Sequence, residues 1–489
     1  MRKPRAAKGG RKLTLYLSIG SQVLTLLRNV LVARFLGPAE FGVAAIIILT
    51  ISFLDSFSNA GPQNLLVQAK DEDGRPLLAA AHGMTLGRGL STTTLLLVLG
   101  LPLSGVFGLQ LGWPAIVGLA ISSFINGFLH RGTRMVQRDG DFRLDAITQI
   151  AGDVAALAVA VPIAMFTHSH VAIVAGLIAR SVFTVAASHI LSPQPYELSW
   201  DRSLLRRFWS FGWPLMINGP LLFISAQADR LFISRELGAT ALGLYSAVTV
   251  LVTSPSTAIL KWLGTIYMPP LAKVYHDTGS LQPKGPVYEY TAMMVLLGFL
   301  MFAGFATLGS FAVNLLYGAK FHTPAQLVAL IGALQIFRFL RAWPSTMALS
   351  VAASGGILVS TVVRLIALPV GYLGLVTVGG LPGLLVGFIF GELLALLISL
   401  LIVNRNASRP LLMGVRSVVG FVALSVVVTF ASRLARASLL EQIGILVVSA
   451  PVGAVLLALS VSPGESRTYA RRTEAAVRKR LIGLGGSRR

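Results

Sequence analysis

The nine residues Arg34-Phe-Leu-Gly-Pro-Ala-Glu-Phe-Gly42 recur in altered form as Arg235-Glu-Leu-Gly-Ala-Thr-Ala-Leu-Gly243, 201 residues further along the chain. The arginine, the leucine and both glycines are common to the two copies, and each copy lies between two long apolar segments. At this offset the first two apolar segments align with the seventh and the eighth. Because an offset of six spans preserves the orientation of a chain in a membrane, the repeat predicts two parallel six-helix lobes related by a pseudo-twofold axis along the membrane normal.

The composition is that of a membrane protein. Of 489 residues, 54% are hydrophobic and only 12% are charged, with a mean hydropathy of +0.75, whereas soluble domains have about 25% charged residues. Since a transmembrane helix needs about 20 apolar residues, the sequence predicts an all-α polytopic membrane protein of about fourteen transmembrane helices. The predicted spans are near residues 14–36, 43–66, 77–108, 113–130, 146–167, 170–191, 209–233, 242–268, 288–316, 326–350, 357–378, 381–403, 413–432 and 442–461.

Basic residues set the predicted orientation. The chain has 41 Lys and Arg against 19 Asp and Glu, a net charge of +22. With both termini in the cytoplasm, most of the basic residues fall in inner loops and tails, as the positive-inside rule requires. The excess positive charge is therefore attributed to membrane topology and to attraction for membrane lipids, not to nucleic acid. The apolar segment after the basic N-terminus has no small-residue cleavage site and is interpreted as a retained signal anchor.

The spans and tails divide the chain into predicted regions, and no loop is long enough to form a folded domain. In order, the regions are a basic cytoplasmic N-tail (1–12), an N-lobe (13–191), a cytoplasmic linker (192–208), a C-lobe (209–403), two further helices (413–461) and a basic cytoplasmic C-tail (462–489). The sequence contains no cysteine, no phosphate-binding P-loop and no His-Glu-x-x-His motif. It therefore predicts no catalytic residue, no metal and no cofactor.

Apart from Arg34, Glu289 and Arg416 at the ends of their spans, twelve charged side chains lie within the predicted spans, eight basic and four acidic. At about 2.5–3.5 kcal/mol each, exposing all of them to lipid would cost on the order of 30 kcal/mol, more than the stability of about 5–15 kcal/mol of a typical protein. Several must therefore face a hydrated cavity or one another, and the basic excess favours an anionic ligand. Polar residues at helical spacing on the first, second, seventh and eighth spans place this cavity between the lobes. The candidate substrate-binding residues are Arg28, Asp55, Arg88, Arg180, Arg230, Lys261, Arg338 and Arg341, and the candidates for ion coupling are Asp55 and Asp153.

Other interpretations of these charges remain open from the sequence. Arg88 and Arg364 lie near the inner ends of their spans, where a guanidinium group can also reach the lipid headgroups. A second alternative is that Asp229 and Arg230 form a local structural pair. A third is that Asp153 and Glu392 pair with arginines on neighbouring helices, and a fourth is that Arg338 and Arg341 lie at the inner rim of the cavity.

Further stretches carry a resemblance to a known family. Besides the repeated turn, they are Ala60-Gly-Pro-Gln-Asn-Leu-Leu-Val67, Gln137-Arg-Asp-Gly-Asp-Phe142, and Asp229-Arg-Leu-Phe-Ile-Ser-Arg-Glu-Leu-Gly238 leading into Leu242-Gly-Leu-Tyr245. In their order and spacing, the chain resembles the polysaccharide transporter family, the Wzx-like flippases of the multidrug/oligosaccharidyl-lipid/polysaccharide (MOP) exporter superfamily, over most of its length.

The resemblance implies a V-shaped helical protein, of the fold also found in MATE transporters, that alternates between inward-open and outward-open states. It implies an undecaprenyl-pyrophosphate-linked oligosaccharide as the cargo, moved from the inner to the outer leaflet of a bacterial cytoplasmic membrane for surface polysaccharide biosynthesis. A polysaccharide polymerase or co-polymerase is a candidate partner. A basic cavity agrees with this cargo, because basic side chains are the natural ligands of pyrophosphate.

Alternatives from two classes remain open. A drug/cation antiporter normally has twelve spans, fewer than the fourteen predicted here. The lipid II flippase has fourteen spans but carries cavity arginines on helices 1 and 2, whereas helix 2 of this chain has Asp55. A membrane-embedded polymerase or glycosyltransferase usually needs a large outer loop with catalytic groups, and every outer loop predicted here is short. The acidic triplet Asp71-Glu72-Asp73 has the form of a metal-binding Asp-x-Asp motif, but the flanking Lys70 and Arg75 favour solvated charge.

Overall fold

The chain folds into α-helices that follow the predicted apolar segments. The computed structural model describes residues 8–58, 66, 74–108, 111–139, 141–281, 284–350, 359, 361–405, 416, 418–425, 427–428 and 439–461. In chain order the longer helices are α1 (Lys8–Leu36), α2 (Pro38–Ser58), α3 (Gly74–Val106), α4 (Trp113–Gly127), α5 (Arg143–Thr167), α6 (Val171–Leu191), α7 (Arg202–Phe232), α8 (Gly238–Thr278), α9 (Pro286–Tyr317), α10 (Ala325–Ser350), α11 (Ala367–Thr377), α12 (Gly380–Arg405) and α13 (Leu439–Val461). These ranges contain no β-strand.

The helices have the length and hydropathy of membrane spans. Eight helical segments of the described chain are long and apolar enough to cross a membrane, and shorter apolar helices lie at Trp113–Gly127, Thr361–Thr377 and Leu440–Gly453. One of the eight runs from Gly219 to Thr278 and contains most of the seventh and all of the eighth predicted span. The predicted all-α polytopic membrane architecture is therefore confirmed. Of the predicted span 413–432 the structure describes residues 416, 418–425 and 427–428, and of the motif 60–67 it describes only Leu66.

The repeated sequence forms the same turn twice. Gly37, between α1 and α2, has a φ angle of +81°, and Gly238, the first residue of α8, has a φ angle of +79°. Side chains with a Cβ rarely adopt this left-handed conformation, which glycine adopts at no steric cost. The two glycines therefore let the chain turn directly from one span into the next, as the repeat predicts.

The residues after these turns pack against each other in a reciprocal manner. A methyl group added to Gly42 would lie 1.9 Å from the carbonyl oxygen of Ala239, and one added to Gly243 would lie 1.8 Å from the carbonyl oxygen of Pro38. Positions 38 and 239 correspond in the repeat, as do positions 42 and 243. The first turns of α2 and α8 thus approach each other through equivalent glycines, at a distance that allows no side chain.

The segment predicted as a linker, 192–208, is partly helical. The Asp201 carboxylate accepts hydrogen bonds from the backbone N–H groups of Ser203, at 2.8 Å, and Leu204, at 3.1 Å. This cap starts α7 at Arg202, because it satisfies N–H groups that have no partner within the helix. The irregular part, 192–201, lies across α3, where the Ser199 N–H donates to the Ala79 carbonyl at 3.1 Å.

The chain divides into two compact units. The first comprises residues 1–254 with 313–322, and the second comprises residues 255–312 with 323–489. In the first unit α5 packs on α6 and α1, and α3 packs on α4. In the second unit α12 packs on α10 and α11. The division falls inside α8 and α9 and so differs from the boundary between the predicted lobes, whose symmetry stays a prediction.

Candidate functional site

A polar cavity of about 320 Å³ lies within the first unit, among α2 to α6 and the loop that follows α4. Its charged lining consists of Arg88, Arg131, Arg134, Arg180 and Asp55, and we call it the arginine cavity. Its neutral polar lining includes Thr85, Thr92, Ser123, Asn126 and Gln149. Asp145 and Asp153 pair with two of these arginines from outside the lining, so four guanidinium groups and three carboxylates leave one positive charge in excess, which attracts anions.

Arg88 and Asp55 form an ion pair in the cavity wall. Arg88 Nη2 lies 2.8 Å from Asp55 Oδ1, which joins α3 to α2. The Asp55 side chain is 41% exposed, so this carboxylate competes with any anion that enters the cavity for the same guanidinium group. The sequence left Arg88 open between a cavity and a headgroup position, and the structure places it in the cavity lining.

Arg180 is held by a buried carboxylate on the neighbouring helix. Asp153 Oδ1 accepts a hydrogen bond from Arg180 Nε at 2.9 Å, and Oδ2 accepts one from Ser21 Oγ at 2.5 Å. Arg180 Nη2 also lies 3.4 Å from Gln149 Oε1. The Asp153 side chain is 2% exposed and that of Arg180 is 41% exposed. Asp153 therefore anchors Arg180 from behind, while the guanidinium group faces the cavity.

Arg28 of α1 lies beside this group without a carboxylate partner of its own in the described chain. Its Nη2 atom is 3.5 Å from Asn29 Oδ1, and its buried Nε atom makes no hydrogen bond to the described residues. Arg180 and Asp153 are its electrostatic neighbours. Three of the predicted site residues, Arg28 of α1, Arg88 of α3 and Arg180 of α6, therefore lie in one region of the first unit.

Sequence reasoning missed Arg131 and Arg134. Both lie between the predicted spans 113–130 and 146–167, but the chain after α4 turns back, so that Arg131 is buried and Arg134 is partly buried in the cavity lining. The Arg131 side chain donates from Nε to Thr85 Oγ1 at 3.1 Å, and Arg134 Nε lies 3.0 Å from Asp145 Oδ1. Burial, with repulsion from Arg88 and Arg134, lowers the pKa of Arg131 to about 9. The residue stays protonated at neutral pH, and an anion beside it would relieve that repulsion.

Arg131 is positioned by the histidine clasp, a stack formed by His82, His130, His189 and Tyr196, whose ring centroids lie 4.4 to 5.5 Å apart. His82 Nε2 accepts a hydrogen bond from the Arg131 backbone N–H at 3.1 Å, so its Nδ1–H donates to the Glu197 carbonyl at 2.8 Å. An imidazole that accepts a hydrogen bond at one nitrogen and donates one at the other is neutral, and this holds for His82 and likewise for His130.

His130 has the complementary arrangement. Its Nδ1 atom accepts from the Gly132 N–H at 2.9 Å, and its Nε2–H donates to the Gln194 carbonyl at 3.0 Å. Burial lowers the pKa of His130, and the neighbouring His189 lowers it further. Protonation of these imidazoles would remove the hydrogen bonds that they accept from the Arg131 and Gly132 backbone, so the clasp is complete only while both rings are neutral.

The remaining predicted residues of the first unit and Lys261 do not line the arginine cavity. Arg230 follows Asp229 near the end of α7, where the buried Asp229 carboxylate accepts a hydrogen bond from the Tyr245 hydroxyl. Lys261 belongs to the second unit and is exposed on α8.

In the second unit one buried glutamate contacts three arginines. Glu392 on α12 is 1% exposed, and its carboxylate oxygens lie 2.5 Å from Arg364 Nε, 3.0 Å from Arg338 Nε and 3.4 Å from Arg341 Nε. Arg364 is buried and paired, which differs from the alternative of a headgroup position. Arg338 and Arg341 lie together, as predicted from their spacing of three residues on one helix. Whether this cluster and the arginine cavity belong to one chamber stays a prediction.

The fold defines the class of protein. The chain is similar in structure to the lipid II flippase MurJ in an inward closed conformation, with a TM-score of 0.71 and 13% sequence identity over 90% of this chain and 98% of that one. It is also similar to an inward-facing multidrug resistance MATE family transporter of the MOP superfamily, with a TM-score of 0.58 and 14% identity over 78% of this chain and 94% of that one. The chain thus has the fold that MurJ and this MATE transporter share.

The sequence defines the family. The family described as polysaccharide biosynthesis protein matches residues 31–326, more than half of the chain, and the chain belongs to this family. The resemblance stated from the sequence is confirmed. A relative is the succinoglycan biosynthesis transport protein ExoT of Rhizobium meliloti (strain 1021), which is 25% identical over 307 residues. That match covers 59% of this chain and 58% of the relative, so it spans less than two thirds of either protein.

Proposed function

We propose that the protein is a flippase, not an enzyme, that moves an undecaprenyl-pyrophosphate-linked oligosaccharide from the inner to the outer leaflet of the bacterial cytoplasmic membrane. The observation that carries the proposal is the arginine cavity, whose lining holds four guanidinium groups, one more than the three carboxylates that pair with them. A pyrophosphate presents oxygens that planar guanidinium groups bind in pairs. The family and the name of its relative, a succinoglycan biosynthesis transport protein, support a role in polysaccharide export.

The ion pairs suggest how cargo acts on the cavity. A phosphate that binds Arg88 competes with Asp55, which is more exposed than Asp153, and displaces it from the guanidinium group. Asp153 stays in place because both Arg180 and Ser21 hold it. Once displaced from Arg88, Asp55 can take up a proton or a cation. We therefore assign ion coupling to Asp55 ahead of Asp153.

The proposal includes the predicted topology and domain organisation. Both termini face the cytoplasm, and the two predicted six-helix lobes alternate between inward-open and outward-open states. Residues of the second half then complete the chamber when the lobes meet. The predicted contributors are Arg230, Lys261, Arg338 and Arg341.

Export by cells tests the proposal. In a strain that depends on this gene for its surface polysaccharide, we expect Arg88→Gln to reduce export at least about tenfold, the effect of losing one charge-assisted hydrogen bond of about 1.5–3 kcal/mol. Arg88→Lys keeps the charge but loses the paired geometry and is expected to be intermediate. The lipid-linked oligosaccharide should accumulate on the cytoplasmic face in both variants, with normal amounts of protein in the membrane.

The matched control is Arg143→Gln. Arg143 is an exposed arginine paired with Asp141 at 2.7 Å and does not line the cavity. Export should stay at the wild-type level in this variant. Normal export from Arg88→Gln, or an equal loss from Arg143→Gln, contradicts the proposed role of the cavity.

A second candidate function is translocation of lipid II, which the structural similarity to MurJ favours. The two functions share the pyrophosphate and differ in the sugar. Complementation of a strain depleted of its lipid II flippase separates them. Growth of that strain on this gene supports the second candidate, and loss of surface polysaccharide alone after deletion of the gene supports the first.

A further inference from the structure

A second, largely apolar groove opens on the first unit beside the arginine cavity. One part has a volume of about 570 Å³ and lies between α3 and the start of α7; the adjoining part has about 560 Å³ and continues along α7. Trp209 and Met216 line both parts. We call the whole the tryptophan groove, with the apolar lining Phe57, Met84, Trp200, Trp209, Trp213 and Met216.

Glycines on α3 build the floor of this groove. A methyl group on Gly83 would lie 2.6 Å from the Ser199 carbonyl oxygen, and one on Gly87 would lie 4.0 Å from the Trp200 ring. The segment 192–201 therefore presses directly on α3 and sets Trp200 beside the groove. The rings nevertheless remain open on their outer side, since Trp200, Trp209 and Trp213 are 57%, 56% and 50% exposed. In a membrane, such rings contact lipid chains and headgroups.

The polar groups of the groove are arginines. Arg202 and Arg206, one turn apart at the start of α7, line its edge, and Arg88 lines its inner end. No acidic residue lines it, and neither Arg202 nor Arg206 forms an ion pair within the described chain. Arg88 also lines the arginine cavity. The groove thus combines an apolar surface with an arginine edge, and it shares Arg88 with the arginine cavity.

This arrangement complements one kind of molecule, an amphipathic lipid with a single long chain and an anionic phosphate headgroup. From it we infer that the tryptophan groove is the loading site for the cargo lipid: the prenyl chain lies along the tryptophans while Arg202 and Arg206 bind the pyrophosphate, which then passes to Arg88. The inference rests on the proposed function and adds the place where cargo enters. A two-chain phospholipid matches the groove less well, because its headgroup carries one phosphate for two chains.

Photolabelling of the full-length protein in detergent tests this site. The probe is undecaprenyl pyrophosphate with a diazirine in the first isoprene units, and adducts are mapped by mass spectrometry. We expect adducts on the peptides that contain Met84, Trp209 and Met216. Unlabelled undecaprenyl pyrophosphate should compete for them, and phosphatidylglycerol at the same concentration should not.

A matched pair of variants separates the arginine edge from general surface charge. Arg206→Gln is expected to reduce these adducts about fivefold, the effect of one basic residue on an anionic lipid near a membrane surface. Arg207→Gln removes the same charge from the next position of the helix, which is exposed but does not line the groove, and should leave the yield unchanged.

The outcomes distinguish this inference from the proposed function. Equal losses in the two variants, or equal competition by phosphatidylglycerol, overturn the loading site. Adducts confined to residues around the arginine cavity, or to the apolar groove that Val448 and Val452 line in the second unit, also overturn it but leave the proposed function standing. Absence of any specific adduct on the protein contradicts both.

Discussion

The pair of Arg180 and Asp153 offers a quantitative test of how the arginine cavity is built. The two residues are joined at 2.9 Å, yet they have different surroundings, because the Asp153 side chain is 2% exposed and the Arg180 side chain is 41% exposed. Arg180→Gln therefore leaves a carboxylate in a dry helix contact, whereas Asp153→Asn leaves a guanidinium group that water in the cavity can solvate. The two single substitutions should not be equally destabilising.

The magnitudes follow from this asymmetry. Removing one partner of a buried pair costs about 3–5 kcal/mol when the other charge stays buried, so we expect about 3 kcal/mol for Arg180→Gln, at the lower end because Arg28 lies nearby. We expect about 1 kcal/mol for Asp153→Asn, since the amide still accepts one hydrogen bond. The double variant should cost about 2 kcal/mol, which gives a coupling energy of about 2 kcal/mol.

Denaturant unfolding of the four proteins in detergent micelles, followed by tryptophan fluorescence, measures these values. The control is Arg143→Gln, which breaks an exposed pair with Asp141 and should leave the stability close to that of the wild type. Equal effects of the two single substitutions, or additivity within about 0.5 kcal/mol in the double variant, would refute the assignment of Asp153 as the buried anchor of Arg180.

Three further predictions address other parts of the molecule. Gly42→Ala should prevent stable folding, because the added methyl group would overlap a carbonyl oxygen at 1.9 Å. The measurement is the yield of monodisperse protein in detergent. The control Gly20→Ala, with open space around the added methyl group, should behave as wild type. Glu392→Gln should cost at least about 3 kcal/mol in unfolding experiments, since it leaves three clustered arginines without their shared carboxylate; unchanged stability would contradict this. Protease cleavage within 192–201 should increase as the pH falls below about 6.5. The reason is that burial lowers the pKa of His130, so that the folded state binds fewer protons than the unfolded one. A cleavage rate that does not depend on pH would show that the clasp does not titrate.

The architecture was predictable because it depends on signals that are local in the sequence. Apolar length alone located the helices, and the repeat located the turns at Gly37 and Gly238, where a backbone with positive φ requires glycine. The start of α7 was not predicted, although Asp201 before Ser203 is a helix-capping signal that the sequence already contains.

The site was only partly predictable because its geometry depends on contacts between distant residues. Charges inside spans can be recognised one at a time, which identified Arg88, Arg180 and Asp55. Arg131 and Arg134 were missed, since a basic residue in a short loop between two spans has the same sequence signature whether the loop faces water or folds back into the protein. Likewise, no spacing predicts that three arginines on two separate stretches of chain meet Glu392, because helix packing alone brings them together.

The central claim, that the arginine cavity carries a pyrophosphate-linked lipid across the membrane, is tested most directly by reconstitution. Purified protein in liposomes would be supplied with a fluorescent undecaprenyl-pyrophosphate-linked oligosaccharide, and the fraction of label that a membrane-impermeant quencher reaches would be followed over time. We predict rapid exchange between the leaflets with the wild-type protein and with Arg143→Gln, and at least about tenfold slower exchange with Arg88→Gln. Exchange no faster than in protein-free liposomes, or equal rates for the wild type and Arg88→Gln, would contradict the account.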